Sequence, residues 1–433
     1  MQTKPLTAQD SLNDWLTYVY GIHVSAIDLG LSRVLPVFEA LDIGQPSAYV
    51  FTVAGTNGKG STTATLAAIC QQAGYKTALY QSPHLLVFNE RIKINGQMVS
   101  DEALAAALYR VEQARLACEV TLSFFEMTTL AAMLIFAEAD CDVWVLEIGL
   151  GGRLDVVNII DPNLAVITNI GIDHVEWLGN TREQIGVEKA GILRDDITLV
   201  YGEADMPTTI LPIIAKHHVH VLQYGQDYAY SSEQDAIHWQ YSQAGVTLSL
   251  PLPNLSLHNT ATAITAALAS NLTITRAHIA QALPQVHLAG RFDRRQIQGR
   301  QWVFDVAHNS HGITFLLSQF VPYWQVYRVA HPDAQLYLII SMLLDKDIDS
   351  VLYHLQTLPM VQVFSGVLDN PRAADQQLLQ NKLNQYFTTP VTVFDELTDA
   401  AQAALANSRT DDLILVCGSF YTISGVLKTL AQV

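Results

Sequence analysis

From Val53 to Thr62 the chain reads Val-Ala-Gly-Thr-Asn-Gly-Lys-Gly-Ser-Thr. Glycines, a lysine and two hydroxyls in one short run suit one task, the holding of phosphate. Glycine lets the backbone curl until its N–H groups face phosphate oxygens, and a helix that follows aims its positive end at the same place. Lys59 is placed to reach terminal phosphates, and Ser61 or Thr62 to offer a hydroxyl to phosphate or Mg²⁺. The spacing departs from the standard G-x-x-x-x-G-K-[ST] loop. Thr56 and Asn57 alone separate Gly55 from Gly58, and Gly60 splits the lysine from the hydroxyls. An ordinary glycine-rich turn is the alternative. The lysine inside the turn and the hydroxyls just after it speak against that.

Such a loop needs a strand before it and a helix after it. The apolar run Tyr49 to Ala54 predicts the strand, and Lys59 to Ala73 the helix. The rhythm continues. Lys76 to Tyr80, Asp142 to Ile148 and Leu164 to Ile170 read as strands, the last two apolar enough for burial on both faces. Ser100 to Arg115 reads as a helix capped by Ser100, and Thr181 to Leu193 as one with a Thr181/Gln184 capping box. Alternating strands and helices predict a mostly parallel α/β sheet flanked by helices. Between 219 and 253, His220 to Gln223, Ala236 to Tyr241 and Gly245 to Leu250 read as a small antiparallel patch, followed by a helix His258 to Ser270. A composition break near 288 divides the chain into domains 1–288 and 289–433. In the second, smaller and Rossmann-like, Trp302 to Val306, Gln335 to Ile340 and Leu413 to Cys417 read as strands, with helices from Gly312 and over Ile348 to Leu358.

Composition narrows the function. The 433 residues are 50% hydrophobic and 15% charged, a globular mixture. A net charge of -17 argues against nucleic acid as a partner. It also means that any anionic substrate needs local positive charge from a metal, a helix N-terminus, Lys or Arg. The four cysteines are scattered without a C-x-x-C pair, which disfavours zinc or a redox dithiol and fits a cytoplasmic setting. The polar start reads as no signal peptide, and no apolar run reaches membrane-spanning length.

Further along stand Ser82-Pro-His84, Asn89-Glu-Arg91, Phe125-Glu126, Leu146-Glu-Ile-Gly-Leu-Gly-Gly-Arg-Leu-Asp155, Asp173-His174, Trp177-Leu-Gly179, Glu188-Lys-Ala-Gly-Ile192, Gly290-Arg-Phe292, Asp305-Val-Ala-His-Asn309, Asp345-Lys-Asp347 and Cys417-Gly-Ser-Phe420. With the Gly55–Thr62 loop, and in this order, they resemble the Mur ligase superfamily. Within it they resemble the folylpolyglutamate synthase family, in its bifunctional dihydrofolate synthase/folylpolyglutamate synthase branch. The resemblance spans nearly the whole chain. It implies a reaction in which ATP phosphorylates a pteroate or folate carboxylate and L-glutamate attacks the acyl phosphate. The acceptors it implies are dihydropteroate and reduced folates.

The resemblance also assigns residues. Lys59, Glu147, His174 and Lys189 are implied as catalytic. Thr56, Asn57, Gly58, Lys59, Gly60, Ser61, Asn259, Arg291 and Asp305 are implied to bind ATP, with the nucleotide between the domains and a hinge near 288–291. The implied metal ligands are Ser82, Glu147 and His174, with Lys189 carbamylated by CO₂ to hold a second Mg²⁺. A cation answers a real difficulty, because two anions meeting at about 4 Å in a low-dielectric cleft repel strongly. Asp28, Leu29, Gly30, Leu31, Ser123, Phe124, Phe125, Glu126, Leu154, Asp155 and Val156 are implied to hold the pterin, and His308 and Ser419 the glutamate. Val156 and Val157 depart from the family, which carries smaller or polar residues (Ala-Thr) there. The resemblance further implies a monomer.

The alternatives are a general P-loop ATPase or kinase, a cell-wall Mur ligase, a monofunctional folylpolyglutamate synthase and a non-catalytic nucleotide-binding protein. The extra Gly60 speaks against the first. The Ile27-Asp-Leu-Gly-Leu31 segment speaks against the second, and joint retention of Lys59, Glu147, His174, Lys189 and Arg291 against the last.

Overall fold

A computed structural model describes residues 6–22, 29–232 and 238–431. The chain forms two compact units, one running to Val286 and one starting at His287.

The first unit is built on an eight-stranded sheet. Its strands are β1 (Tyr49–Ala54), β2 (Thr77–Tyr80), β3 (Ile92–Ile94), β4 (Gln97–Met98), β5 (Val143–Glu147), β6 (Leu164–Ile167), β7 (Thr198–Tyr201) and β8 (His220–Gln223). The order is β4-β3-β2-β5-β1-β6-β7-β8. All neighbours are parallel except β2–β3 and β3–β4. The central strands are buried on both faces, which explains their unbroken apolar sequence. Alternate residues feed two cores. Val50, Trp144, Leu146, Ala165 and Ile167 face one, with helix Phe124–Glu138. Phe51, Val53, Val143, Val145 and Val166 face the other, with helices Lys59–Gln72 and Leu257–Ala269. Strand order reverses around β1: the chain leaves it toward β2 on one side and later crosses from β5 to β6 on the other. Ligands bind beyond the carboxyl ends of strands at such a point.

Two expectations are corrected. His220–Gln223 is not part of the antiparallel patch; it pairs in parallel with β7 at the edge of the large sheet. The patch is β9 (Tyr228–Ser232), β10 (His238–Gln243) and β11 (Val246–Pro251), in the order β11-β10-β9. The Thr181/Gln184 capping box is only half formed. Thr181 Oγ1 accepts from Gln184 N, but Gln184 Oε1 accepts from Asn180 N.

The second unit carries β12 (Asp293–Ile297), β13 (Arg300–Asp305), β14 (Leu336–Ile340), β15 (Met360–Gly366), β16 (Val391–Phe394) and β17 (Leu413–Cys417). The order is β12-β13-β17-β14-β15-β16, parallel apart from the β12–β13 hairpin. Among the described residues no helix is long and apolar enough to cross a membrane.

The helix Leu12–Gly21 is fastened to helix Asp101–Ala117 by one buried polar cluster. Glu112 accepts from Tyr18 Oη at 2.6 Å and from Arg115 Nε and Nη2, each at 2.7 Å. Arg115→Ala leaves the buried carboxylate with Tyr18 alone. We expect a loss of about 2–4 kcal/mol, read as a lower urea midpoint.

Candidate active site

The phosphate loop joins β1 to helix Lys59–Gln72. Gly58 has φ 82°, the left-handed region, and a Cβ there would fall 2.3 Å from Asn259 Oδ1. At Gly55 a Cβ would fall 1.8 Å from Thr168 Oγ1. Both positions therefore require glycine, one for conformation and close approach, the other for close approach above all. The helix opens at Lys59, so its first-turn amides lack intrahelical partners, and no acidic residue occupies that turn. Lys59 Nζ folds back onto Gly55 O at 3.0 Å and Thr56 O at 3.4 Å. Ser61 is buried. Thr62 Oγ1 is buried without a hydrogen-bond partner among the described residues.

Thr56 and Asn57 are tied to the segment after β6. Their N–H groups both donate to Asn169 Oδ1, at 3.1 and 2.9 Å. Thr168 Oγ1 donates to Asn57 O at 2.6 Å, and Gly171 N to Thr56 Oγ1 at 2.9 Å. The loop is thus shaped from the segment after β6. Gln81 holds the other side, its Nε2 donating to Gly60 O at 2.8 Å and Thr63 Oγ1 at 2.9 Å. Sequence reasoning missed Asn169 and Gln81. Their placement at the ends of β6 and β2 is the only sequence signal they carry.

Glu147 ends β5, beside β1, and is 4% exposed. Its Oε2 accepts from Ser82 N at 3.2 Å, because Ser82 follows β2 on the neighbouring strand. His174 is exposed, with φ 52°, at the start of the short helix Val175–Leu178. Among the described residues no three His, Cys, Asp or Glu side chains gather as a metal cluster. A Glu147 carboxylate beside a serine still fits a Mg²⁺-type ion, which binds through one or two carboxylates with phosphate oxygens completing the shell.

Lys189 is 3% exposed on helix Arg182–Ala190. Burial pushes its amine down to about 7, the Lys59 charge pushes the same way and Asp173 opposes. Gly152 admits this helix: a Cβ there would lie 2.9 Å from Glu188 O and 3.1 Å from Lys189 O. Arg153 N donates to Glu188 O at 2.8 Å.

The pterin candidates gather around the loop 149–155. Gly30 N donates to Leu154 O at 3.2 Å, which brings Leu29-Gly30-Leu31 to it. Phe125 covers Gly149, where a Cβ would fall 2.4 Å from the ring. Asp155 is buried and accepts from Leu150 N and Val157 N, each at 2.8 Å. Burial pushes its carboxyl up to about 6 against those donors and the Lys59 charge. Ser123 and Glu126 form a capping box on helix Phe124–Glu138, and Glu126 also takes Arg33 Nη2 at 2.9 Å. Their oxygens thus serve the fold. Phe124 stacks on Tyr20 at 3.9 Å between centroids. Val156 is buried, and Asp28 lies outside the described residues.

In the second unit Asp305 ends β13, paired with Cys417 of β17. It accepts from Phe292 N at 2.8 Å and Ala307 N at 2.9 Å, and burial raises its pKa against Arg291. Arg291 lies over the Phe420 ring at 4.9 Å. His308 Nδ1 contacts Val306 O at 2.9 Å, and Ser419 caps helix Phe420–Leu430 through Thr422 N at 3.0 Å.

These features define the class: a Mur-type ligase. The Mur ligase middle domain matches residues 53–275, and the Mur ligase glutamate ligase domain residues 290–420. A dihydrofolate synthase/folylpolyglutamate synthase of Escherichia coli is 38% identical over 98% of this chain and 96% of its own. The solved structure of E. coli FolC in complex with DHPP and ADP superposes with a TM-score of 0.90 at 37% identity, covering 99% of each chain. That of a bifunctional folylpolyglutamate synthase/dihydrofolate synthase from Yersinia pestis, complexed with AMPPNP and Mn ion, gives 0.89 at 36% identity, covering 99% and 100%. The chain belongs to the dihydrofolate synthase/folylpolyglutamate synthase family.

Gly58→Ala should remove nucleotide binding, since the new methyl meets Asn259 in a strained backbone. Asn169→Ala removes the side-chain oxygen that Thr56 N and Asn57 N share, leaving Thr56 N its bond to the Asn169 backbone carbonyl, and should cost about 1–3 kcal/mol of stability. Its ATP affinity should fall with it. Titration with a fluorescent ATP analogue and thermal melts read both effects.

Proposed function

We propose that this chain joins L-glutamate to the carboxylate of dihydropteroate and of reduced folates at the expense of ATP. One observation carries the reading. β5, β1 and β6 end side by side, and so bring Glu147, the Lys59 loop and the segment toward His174 to one edge, next to the 149–155 loop.

Lys59 and the first-turn amides of its helix hold the phosphates, with Gly58, Gly60, Ser61 and Asn259 giving the loop its form. Thr56 and Asn57 support that form from behind. Arg291 and Asp305 of the second unit are assigned to the nucleotide, His308 and Ser419 to glutamate. The acceptor carboxylate attacks the γ-phosphorus as the bond to the ADP oxygen breaks. The glutamate amine then attacks the acyl carbon, phosphate leaves and the amine gives up a proton. Bound divalent cations, which Ser82, Glu147 and His174 would hold, supply screening between the two anions. Phe125, the Leu29–Leu31 segment and Asp155 are assigned to the pterin.

Lys189 is read as the site of a carbamate. Its buried amine, with a pKa of about 7, is substantially neutral at neutral pH. A neutral amine adds CO₂, releases one proton and becomes an anionic oxygen ligand for a second cation. We assign the protein to the cytoplasm as a monomer that uses neither nucleic acid nor membrane.

The deciding assay is phosphate release with ATP, Mg²⁺ and L-glutamate, given 7,8-dihydropteroate, a reduced folate, or neither. Glutamate-dependent release with both acceptors is expected. Release with one acceptor narrows the protein to that single activity, and glutamate-independent release refutes the ligase reading.

The carbamate has its own test. ¹³C-bicarbonate should give a carbamate carbonyl signal that Lys189→Ala lacks. Because burial lowers this pKa, protonation sets in as pH falls through about 7, and signal and activity should decline together below it.

A further inference from the structure

We propose that Glu203 and Arg182 are positioning residues for the ligase reaction, clamping the segment after β6 against the phosphate loop. The inference rests on the reading of that loop as the nucleotide site. Thr168, Asn169 and Gly171 all bond to Thr56 or Asn57. Ile170, between them, is held at both of its backbone groups. Its N–H donates to Glu203 Oε2 at 3.0 Å, and its carbonyl accepts from Arg182 Nε at 2.6 Å.

The two clamping side chains bond to each other, Arg182 Nη2 to Glu203 Oε2 at 3.0 Å. Tyr201 Oη shares its one proton between that carboxylate oxygen at 3.2 Å and Asp205 O at 3.0 Å, and the Asp205 carboxylate takes Arg182 Nη1. Glu203 follows β7. Arg182 is the first residue of the helix that carries Lys189. One ion pair therefore sets three segments relative to one another: the phosphate loop with Lys59, the segment leading to His174, and the Lys189 helix. None of its atoms needs to touch substrate. Reacting groups must be placed closely, and a shift of about 1 Å lowers rates by up to about 100-fold.

Three variants of the full chain test this: Glu203→Ala, Glu203→Gln and Arg182→Lys. Readouts are kcat, KM for ATP, KM for the folate acceptor, binding of a fluorescent ATP analogue without turnover, and thermal melting. Glu203→Ala takes the acceptor from Ile170 N and breaks the Arg182–Glu203 pair, leaving Arg182 its bonds to Ile170 O and Asp205. It should raise the ATP KM about 10-fold and lower kcat about 10- to 100-fold, with the acceptor KM unchanged. Glu203→Gln keeps an acceptor oxygen for Ile170 and should recover most of the loss. Arg182→Lys keeps the charge but not the fork of donors. It should show the same split between the two KM values in a smaller measure, and it answers the question should Glu203→Ala fail to fold.

Unchanged constants in folded Glu203→Ala or Arg182→Lys would overturn the proposal. So would a Glu203→Gln protein as impaired as Glu203→Ala, or losses that only follow the folded fraction. A wild-type protein that binds no ATP analogue would bring down the nucleotide reading, and the clamp with it. The two failures are thus told apart by the wild type.

Discussion

The phosphate loop is held in shape by a residue far from it in sequence: Asn169 accepts from Thr56 N and Asn57 N on one side-chain oxygen. Past those two, Lys59, Gly60 and Ser61 form the first turn, at the positive end of the helix. The rest of the first unit is arranged to keep Asn169 where it is. β6 lies against β1, Gly55 lets Thr168 approach, and Gln81 braces the loop from β2.

The same edge tunes charge. Lys59 acts electrostatically on both Lys189 and Asp155, lowering the pKa of each, while burial drives the amine down and the carboxyl up. Burial thus draws both pKa values toward neutrality, where either group changes state for a modest change of surroundings. A nucleotide that neutralises Lys59 would relieve the pressure on Lys189 and deepen that on Asp155.

How much of this was legible depended on range. The phosphate loop, its strand and its helix are local, and residue types alone marked them. The paired strands β5 and β6 were visible because burial on both faces leaves unbroken apolar runs. His220–Gln223 was misplaced because a four-residue, half-exposed strand reads alike at a parallel edge or in an antiparallel patch. Gln184 was a near miss: its side chain reaches one residue further back than the capping pattern requires. The burial of Lys189 was not legible. Beside Glu188 on a capped helix it looks like a solvated lysine, and only the missing Cβ of Gly152 lets that helix sink against the 149–155 loop. Ser123 and Glu126, grouped with the pterin by resemblance, also form the capping box of helix Phe124–Glu138.

The span between Asn169 and the loop it shapes also has a meaning for biosynthesis. The two bonds join residues 113 and 112 positions apart. A ribosome delivers the glycine loop early and its brace only after more than a hundred further residues, so the loop takes its final form only after β6 has been made. A ligand held by the finished loop stabilises the fold that presents it, so ATP favours the chain in which β6 has docked.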